Sequence, residues 1–448
     1  MIAANVRKAS FYMVTVEAGT IPSFAKAELS KLRFTTKDQN GAEPCIRSAK
    51  PPRLAIKGGI SPVTRFCSIL NQTLQIFPRR EFQRLVDETK AERHARGFKS
   101  WDQFVAMLFS HLADANSLRE ICGGLASCEG RLSQLGTRAP ARATLAYANG
   151  HRNWQLFEKL FYALYDHCRR DLGLNCKFRF KNPLLSIDST HISLCSELFP
   201  WAGYSRQKGA VKLHFTLDHA GYLPAAMVVA TGKIGELTIA RRQRWEPGTI
   251  LLFDRGYIDF AWFQRLTDSG VWFITRVRAD MQYKVVETVE LEKGGLPVTD
   301  QRVHILGRRR SKRYPGLLRV VTIQKPDGEI FQFLTNNMRL APSTIAAAYK
   351  DRWEIESFFK VLKQNLRIKS FLSTSPNAVL TQIWTAVIAM LLVRYLQVKA
   401  RYSWSFSNLM YFLRMNLFVY RDLWEWLHNP FIPPDAPNPP TQLVLTWN

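Results

Sequence analysis

The chain has 448 residues, and its content of 46% hydrophobic and 22% charged residues is typical of a globular protein rather than a disordered one. The 62 basic and 36 acidic residues give a formal net charge of +26, so we expect a polyanionic partner, since each phosphate contact releases a counterion. Nucleic acid is the leading partner and an anionic membrane surface is the alternative, although no apolar run is long enough to cross a bilayer. The length predicts two or three domains.

The first part of the chain divides into three segments. Residues 1–60 are rich in basic residues, Ser, Thr and Pro without a sustained period, and we expect a poorly structured basic extension. Residues 61–175 have helical periodicity and are predicted to form an all-helical domain, in which Ser100 caps one helix. Residues 176–276 change to short strands rich in Leu, Val, Ile and Phe, with a hairpin turning at residues 219–221. These strands indicate an α/β fold.

The second part returns from strands to helices. Residues 277–335 are strand-like, with turn signals at GGLP, YPG and KPDGE, and predict a β-rich insertion. Helices return in residues 336–430, where the apolar run 383–393 is too short to span a membrane and fits a buried core helix. Residues 431–448 form a proline-rich tail that needs no packed structure. The seven cysteines are odd in number and scattered, which favours reduced thiols, with zinc as the alternative.

Two of the short apolar strands end in an aspartate, Asp188 in PLLSIDST and Asp254 in TILLFDRGY. In an open α/β sheet, side chains at the carboxyl ends of such strands point into the binding crevice. Taken singly, each aspartate is more often a helix cap or a turn former. The two aspartates together with Glu356 on a later helix form a less common set, which favours a functional site.

Glu356 lies in the stretch YKDRWEIESFFKVLK, residues 349–363, which has the pattern of one amphipathic helix. At about 1.5 Å per residue, the side chains of Tyr349, Arg352, Glu356 and Lys363 would share one stripe about 21 Å long at the border of the apolar face. An ordinary surface helix with charges at its edge is the alternative.

Three carboxylates brought together repel each other unless cations lie between them. The set therefore predicts divalent metal held by Asp188, Asp254 and Glu356. Hard oxygen ligands suit Mg²⁺ or Mn²⁺ and not zinc. Two Mg²⁺ ions about 4 Å apart could activate a water or a sugar hydroxyl for attack on a phosphodiester.

These residues resemble the DDE transposases of bacterial insertion sequences, in the branch with the signature Tyr-x2-Arg-x3-Glu-x6-Lys, the insertion sequence family four type. The four stripe residues keep every spacing of that signature. Asp254-Arg255-Gly256-Tyr257 resembles the second block of the family and Asp188-Ser189-Thr190 its first. The runs LFPWAGYSRQKGAVKLH and SWDQFVAMLFSHLADANSLREICGGL are also similar to this branch, so the resemblance covers residues 61–399.

The resemblance implies an RNase H-like α/β catalytic core with the β-rich insertion between the second aspartate and the glutamate. It implies that Asp188, Asp254 and Glu356 ligate the metal ions, and that Tyr349 and the two basic residues of the signature contact the DNA backbone. The implied activity is cut-and-paste transposition: cleavage at the terminal inverted repeats and joining of the 3′ ends to target DNA. A homodimer on double-stranded DNA is implied, in the cytoplasm of a bacterium at the nucleoid, with the helical domain binding the DNA ends.

The insertion carries the run GRRRSKRY. We interpret this run as a loop that grips DNA phosphates without reading sequence, and a solvated hairpin tip is the alternative. The residues expected to contact phosphates are Arg308, Arg309, Arg310, Lys312 and Arg313.

The chain departs from the family pattern at two points. Gly235 precedes Glu236, where the family usually has a histidine, and residues 277–335 contain no Trp that could hold a flipped base. Three other functions stay open: a catalytically impaired remnant that only binds DNA, another RNase H-like nuclease, and a role at a membrane surface.

Overall fold

Helices fill both ends of the described chain and strands fill its middle. The computed structural model describes residues 67–432 apart from short gaps at 94, 196–197, 203–208, 294–295, 308–312, 325–326 and 366–370. The predictions for residues 1–60, for the tail beyond residue 432 and for four basic residues of the insertion lie outside the described residues: Arg308, Arg309, Arg310 and Lys312.

Seven α-helices precede the first strand in the part that the structure describes. They are α1 Ile69–Leu74, α2 Arg79–Thr89, α3 Ser100–Leu112, α4 Leu118–Ala126, α5 Glu129–Leu132, α6 Arg142–His151 and α7 Gln155–Leu172. α7 is the longest of them, and the apolar residues that recur along it at helical spacing are buried. The described residues before β1 are therefore helical, without strands.

The start of α3 differs from the prediction. Ser100 is the first helical residue and not the N-cap. The carboxylate of Asp102 accepts the backbone N–H of Lys99 at 2.6 Å, and the backbone N–H of Ser100 donates to Glu92 at 2.7 Å. Two charged acceptors satisfy the free N–H groups of the first turn, which leaves no role for the serine hydroxyl there.

Nine strands form one sheet within the described residues, in the order β3-β2-β1-β4-β5-β9-β8-β7-β6. Their bounds are β1 Leu184–Leu194, β2 Gly209–Asp218, β3 Leu223–Thr231, β4 Ile250–Leu252, β5 Trp272–Arg276, β6 Tyr283–Lys293, β7 Leu296–Ile305, β8 Leu318–Gln324 and β9 Ile330–Thr335. β4 is parallel to β1 and to β5, and the other neighbours are antiparallel. The hairpin predicted around residues 219–221 joins β2 to β3 and is confirmed.

The strand-like residues 277–335 form β6 to β9, and these strands extend the main sheet. β9 pairs with β5, so the sheet continues from the parallel strands into an antiparallel meander. β4 lies at the centre of the parallel part, and its three residues are fully buried on both faces, as expected for a strand covered by helices on each side.

Further helices cover both faces of the sheet. They are α8 Glu236–Ala240, α9 Phe260–Asp268, α10 Pro342–Asp351, α11 Glu354–Asn365, α12 Pro376–Lys399, α13 Phe406–Asn416 and α14 Leu423–His428. The expectation that no apolar run is long enough to cross a bilayer is wrong by length and composition, because α12 is long and apolar enough, but 89% of its most apolar window is buried inside the protein. The prediction that residues 383–393 form a buried core helix is confirmed.

α12 packs against the N-terminal helices. Trp384 on α12 contacts Phe161 of α7, with ring centroids 5.5 Å apart, and His111 of α3 shares a buried hydrogen bond of 3.0 Å with Thr385. One hydrophobic cluster therefore includes residues from α1 to α7, from α11 to α14 and from one face of β1 to β3. An independent helical domain that ends near residue 175 stays a prediction.

Two arginines that face each other across β7 and β8 offer a test of how the insertion is attached. Arg319 is buried, binds both carboxylate oxygens of Asp300 at 2.8 and 2.6 Å, and donates to the carbonyl oxygens of Asn337 and Leu340. Its register partner Arg302 forms an ion pair with Glu287 at 2.8 Å, in which both side chains are half exposed.

We predict that Arg319→Ala lowers the free energy of unfolding by about 3–5 kcal/mol, because it leaves a buried carboxylate without its cation. Arg302→Ala should cost less than about 1 kcal/mol, because that pair is exposed to solvent. Urea unfolding followed by circular dichroism measures both costs. Equal losses in the two variants would contradict this account.

Candidate active site

Asp188 and Asp254 lie at the same level of two adjacent parallel strands. In the register of β1 and β4, Ser186 is opposite Leu252. Asp188 comes two residues after the first and Asp254 two residues after the second, so the register of the sheet sets both carboxylates at the same level. The prediction that a strand ends at Asp188 is wrong: β1 continues to Leu194 because its antiparallel pairing with β2 extends past this residue. The oxygens are further oriented by the backbone, because Asp188 accepts the N–H of Ser189 at 2.7 Å and Asp254 that of Gly256 at 2.8 Å.

The two aspartates act on each other electrostatically. Burial, helped by the negative charges of Asp254 and Glu236, raises the pKa of Asp188 to about 6 against the opposing effects of the Ser189 N–H and of Arg352. Tyr257 beneath them responds to the same charges: burial raises its pKa well above the usual range, and Asp188, Glu236 and Asp254 add to the rise. Three carboxylates therefore converge at this level of the sheet.

The single helix expected over residues 349–363 is wrong. α10 ends at Asp351 and α11 begins at Glu354. Between them the backbone N–H groups of Arg352 and Trp353 donate three residues back, to Tyr349 and Lys350, at 3.1 and 3.3 Å. The chain is wound more tightly here than in an α-helix, so the predicted angular positions do not apply.

Ion pairs of the buried Arg352 accompany this change in winding. Nη2 of Arg352 donates to Oε1 of Glu356 at 2.7 Å, and Nη1 lies 3.8 Å from Oδ2 of Asp188. The guanidinium also lies over the rings of Tyr349 and Trp353, at 5.5 and 5.4 Å from their centroids. Although burial disfavours its charge, the pKa of Arg352 is raised above its usual value by Glu356 and its neighbours.

The other predicted site residues occupy different positions. Tyr349 is buried in the core and packs on Phe333, with ring centroids 5.3 Å apart. Lys363 is half-buried on α11 and contributes, after burial and Lys212, to a lowered pKa of His191. Arg313 is exposed in the insertion. The structure therefore brings Asp188, Arg352 and Glu356 together, with Asp254 beside them. Tyr349 instead packs against the guanidinium of Arg352 from the core side.

Glu236 belongs to the site, although the sequence analysis assigned it no role. Its Oε1 accepts the hydroxyl of Ser189 at 2.6 Å and pairs with the buried ammonium of Lys212 at 2.9 Å. Burial opposes its charge, but these hydrogen bonds outweigh burial and lower the pKa of Glu236. A Cβ placed on Gly256 would lie 3.6 Å from Oε2 of Glu236 and 3.0 Å from Oδ1 of Asp254, so both carboxylates border one point.

The residue before this glutamate was singled out because the family usually has histidine there. Gly235 is the N-cap of α8 with an ordinary extended backbone, φ −68° and ψ 146°. A Cβ at this position would meet only the Thr238 hydroxyl at 3.8 Å. The backbone thus has the conformation and the space that a larger residue would use, and the departure does not alter the fold of the loop.

The carboxylate oxygens of the site are chemically suitable ligands for a divalent cation, but their present positions do not form a metal site. Carboxylate oxygens are the hard ligands that Mg²⁺ and Mn²⁺ prefer. Within residues 67–432 and outside the gaps, however, no group of three or more His, Cys, Asp or Glu side chains is spaced to hold a metal ion. Cations already occupy the gaps between carboxylates: Arg352 lies between Asp188 and Glu356, and Lys212 binds Glu236.

Comparison with known proteins identifies the family. Residues 179–392 match the model of the transposase DDE domain, and residues 67–138 match a domain of unknown function, DUF4372. A protein of Sinorhizobium fredii named as the transposase y4zB is 31% identical over 280 residues, which cover 61% of this chain and 77% of that protein. The chain belongs to the DDE transposase family.

Two weaker similarities accompany this match. Transposase InsG of insertion sequence element IS4 from Escherichia coli is 26% identical over 208 residues, and the match covers 42% of this chain and 44% of that protein. A solved structure of the piggyBac transposase synaptic complex with hairpin DNA aligns over 82% of this chain and 83% of that one, at 10% identity and a TM-score of 0.38, which is too low to establish a common fold.

The family membership identifies the fold to which the sheet belongs. The DDE domain has an RNase H-like fold, and the strands β3-β2-β1-β4-β5 of this transposase form its mixed sheet. The resemblance to insertion sequence transposases that the four-residue signature indicated is therefore confirmed.

The raised pKa of Asp188 gives a pH-dependent prediction for the metal-free protein. The unfolded chain releases this proton near its usual pKa of 3.8 and the folded chain near 6, so ionisation of Asp188 costs stability above that range. A shift of this size corresponds to about 3 kcal/mol. Asp188→Asn should therefore raise the thermal midpoint in EDTA at pH 8, and the gain should shrink as the pH falls towards 4.5.

Differential scanning calorimetry of the wild type and Asp188→Asn at the two pH values measures the gain. Asp268→Asn, an exposed aspartate on α9, is the control and should leave the midpoint unchanged at both. A gain for Asp188→Asn that is equal at the two pH values would contradict the burial of a charged Asp188.

Proposed function

We propose that this transposase binds the terminal inverted repeats of its element, cleaves the DNA ends and joins the 3′ ends to target DNA by metal-dependent phosphoryl transfer. One observation carries the proposal: Asp188 within β1 and Asp254 just after β4 lie at the same level of two parallel strands, and Arg352 connects Glu356 to Asp188. This arrangement gathers the three acids of the DDE signature from positions far apart in the chain.

Asp188, Asp254 and Glu356 are the residues that would hold Mg²⁺ ions, or Mn²⁺ in their place. When bound, such ions supply activation of the attacking water or 3′ hydroxyl and stabilisation of the charge on the leaving oxygen. The raised pKa of Asp188 supports this role, because a carboxylate destabilised by its neighbours gains most from a cation.

Arg352 is suited to hold the phosphodiester at this point. Its guanidinium has five donors in a planar fork that matches phosphate oxygens. Nε of Arg352 is buried and forms no hydrogen bond within the described residues, so one donor of the fork has no protein partner. Tyr349 and Trp353 flank the fork and fix its plane, which orients the phosphate before reaction. Lys363, two turns further along α11, would contact the DNA backbone away from the reacting bond.

Two adjoining grooves beside Asp254 provide a path for the DNA backbone. One is lined by Arg255, Arg276 and Arg278, and the other by Arg278 and Arg313. Arg278 and Met281 line both, so the arginines follow one continuous course from the DRGY turn into the insertion. Phosphate contacts along such a course position DNA without reading its sequence.

Arg313 belongs to the basic run GRRRSKRY, and its position on this course supports the proposed contact of its side chain with DNA phosphates. The phosphate contacts of Arg308, Arg309, Arg310 and Lys312 stay predictions. We also propose double-stranded DNA as the partner of a homodimer in the bacterial cytoplasm, with the N-terminal helices binding the element ends. The two DNA ends of one element would then require two copies of the site.

The first test removes one carboxylate. With Mg²⁺ and an oligonucleotide that carries the inverted repeat flanking the reading frame, the wild type should nick the DNA end. Asp254→Asn should be slower by about 10²-fold or more, because the divalent cations that would activate the attacking group lose one of their three carboxylate ligands. Gel electrophoresis of end-labelled DNA measures the rates.

Asp268→Asn serves as the matched control and should cut at the wild-type rate. The end-binding affinity of Asp254→Asn should stay within about twofold of wild type, since this residue contributes no phosphate contact. Equal nicking by Asp254→Asn and the wild type would refute the proposed site. Tight end binding by a wild type that never cleaves, even in Mn²⁺, would favour a DNA-binding remnant.

A second test concerns the arginine grooves. Arg276→Ala combined with Arg278→Ala should weaken DNA binding and reduce the slope of log K against log salt by about 0.9 for each lost phosphate contact. Arg265→Ala, an exposed arginine on α9 outside the grooves, is the control. Fluorescence anisotropy across a salt series gives the slopes. An unchanged slope in the double variant would remove this surface from the DNA path.

A further inference from the structure

A serine, a histidine and an aspartate form a buried hydrogen-bonded chain outside the site. Nδ1 of His219 lies 2.6 Å from Oδ2 of Asp351, and Nε2 lies 2.6 Å from the hydroxyl of Ser186. A carboxylate only accepts, so Nδ1 donates to Asp351, and in the neutral ring Nε2 accepts the serine proton. The connectivity is that of a hydrolytic Ser-His-Asp triad.

These three hydrogen-bonded residues do not form a nucleophilic site. Ser186 is 0% exposed, His219 3% and Asp351 5%, so no substrate carbonyl or phosphate reaches the serine oxygen. An activated serine must face a cleft with donors for the developing charge. The three residues therefore need another explanation for their close and complete hydrogen bonding.

The positions of the two end residues supply that explanation. Ser186 lies two residues before Asp188 on the same face of β1, because side chains alternate along a strand. Asp351 is the residue directly before Arg352. The hydrogen bonds of Ser186, His219 and Asp351 thus connect β1 to the last residue of α10. The ion pair of Arg352 with Asp188 connects the same strand to the next residue of the chain.

Other contacts fix Asp351 firmly. Tyr222 donates to its two oxygens at 3.2 and 3.3 Å, and Lys177 donates to Oδ1. Tyr222 has a φ of 55°, a conformation rare for an aromatic residue, and Arg394 of α12 lies over its ring at 5.4 Å. Burial alone would raise the pKa of Asp351, but the hydrogen bonds from His219 and Lys177 outweigh it and lower the pKa.

We propose that Ser186, His219 and Asp351 are positioning residues, which hold the tight turn between α10 and α11 at a fixed height over β1 and so set Arg352 and Glu356 against Asp188. The proposal rests on the proposed function of that site. Apolar packing of α10 tolerates small shifts along the sheet. Charge-assisted hydrogen bonds that link three elements do not, because each donor–acceptor distance is narrowly defined. A displacement of about 1 Å at a reacting centre can cost 10²-fold in rate.

Asp351→Asn is the appropriate variant, because it keeps the shape of the side chain. Three donors converge on this carboxylate, and an amide presents N–H groups to some of them. Asp218→Asn is the matched control: Asp218 is 2% exposed at the end of β2, and its partners Tyr165, at 2.9 Å, and Arg169 lie on α7. Its Oδ1 also accepts the backbone N–H of Ala220 at 2.9 Å, and the amide oxygen of an asparagine can still accept this bond.

Two measurements on the full chain separate positioning from stability, both below the thermal midpoints of the variants. For Asp351→Asn, kcat for end cleavage at saturating DNA should fall about 10²-fold while Kd for the ends stays within about twofold. Hydrogen exchange read by mass spectrometry should quicken in residues 352–356. Asp218→Asn should lower only the midpoint. If Asp351→Asn does not fold, Ser186→Ala replaces it and should change both quantities in the same direction.

Equal changes in the two aspartate variants, or unchanged exchange in residues 352–356, would overturn the positioning role. If the wild type does not cleave DNA, the proposed function fails and the exchange measurement alone decides the positioning role. Faster exchange confined to Asp351→Asn supports it in that case, and unchanged exchange rejects it.

Discussion

The geometry of the site depends on one buried guanidinium. Parallel pairing of β1 and β4 sets Asp188 and Asp254 at the same height, and their charges repel in a region with little water. Arg352 lies against this pair at 5% exposure and bonds Glu356 at the same time. A buried charge without a partner costs several kcal/mol, so the arginine and the acids hold each other in place. The metal-free site is an ion-pair cluster that a divalent cation would have to rearrange.

Apolar packing determines which face of the sheet α11 lies on, and polar contacts determine its position along the strands. Phe358 and Phe359 pack on Phe215 of β2 at centroid distances of 5.0 and 5.8 Å, which keeps the helix on its face of the sheet. Such contacts are not directional and leave the position along the strand loosely specified. Hydrogen bonds and ion pairs from residues 351 and 352 to β1 are directional and remove that freedom.

The insertion contributes to the site because it continues the sheet. β9 pairs with β5, the strand next to β4, so the meander is attached in the same plane as the aspartates. Arg276 at the end of β5 stacks on Phe331 of β9 at 4.7 Å, and Arg319 ties β8 to the loop before α10. A rigid sheet thereby connects the basic grooves to the carboxylates, which a loop-linked domain would not do.

The sequence by itself determined the features that depend on neighbours in the chain. Hydrophobic runs predicted the start of the strand that carries Asp188, the strand before Asp254, the hairpin at residues 219–221 and the buried helix around residues 383–393. The four-residue signature and both aspartate blocks identified the transposase family, because catalytic residues keep their spacing where local structure is fixed.

Only the tertiary structure decided the contacts between distant residues. Tight winding at residues 352–353 leaves the amphipathic pattern almost unchanged, so periodicity predicted one straight helix with Tyr349 at the border of its apolar face, whereas Tyr349 is buried. Glu236 meets Ser189 across 47 positions and Asp351 meets His219 across 132. A hydrogen bond between groups so far apart leaves no periodic signal, because its geometry arises only when sheet register and helix packing bring the two side chains together.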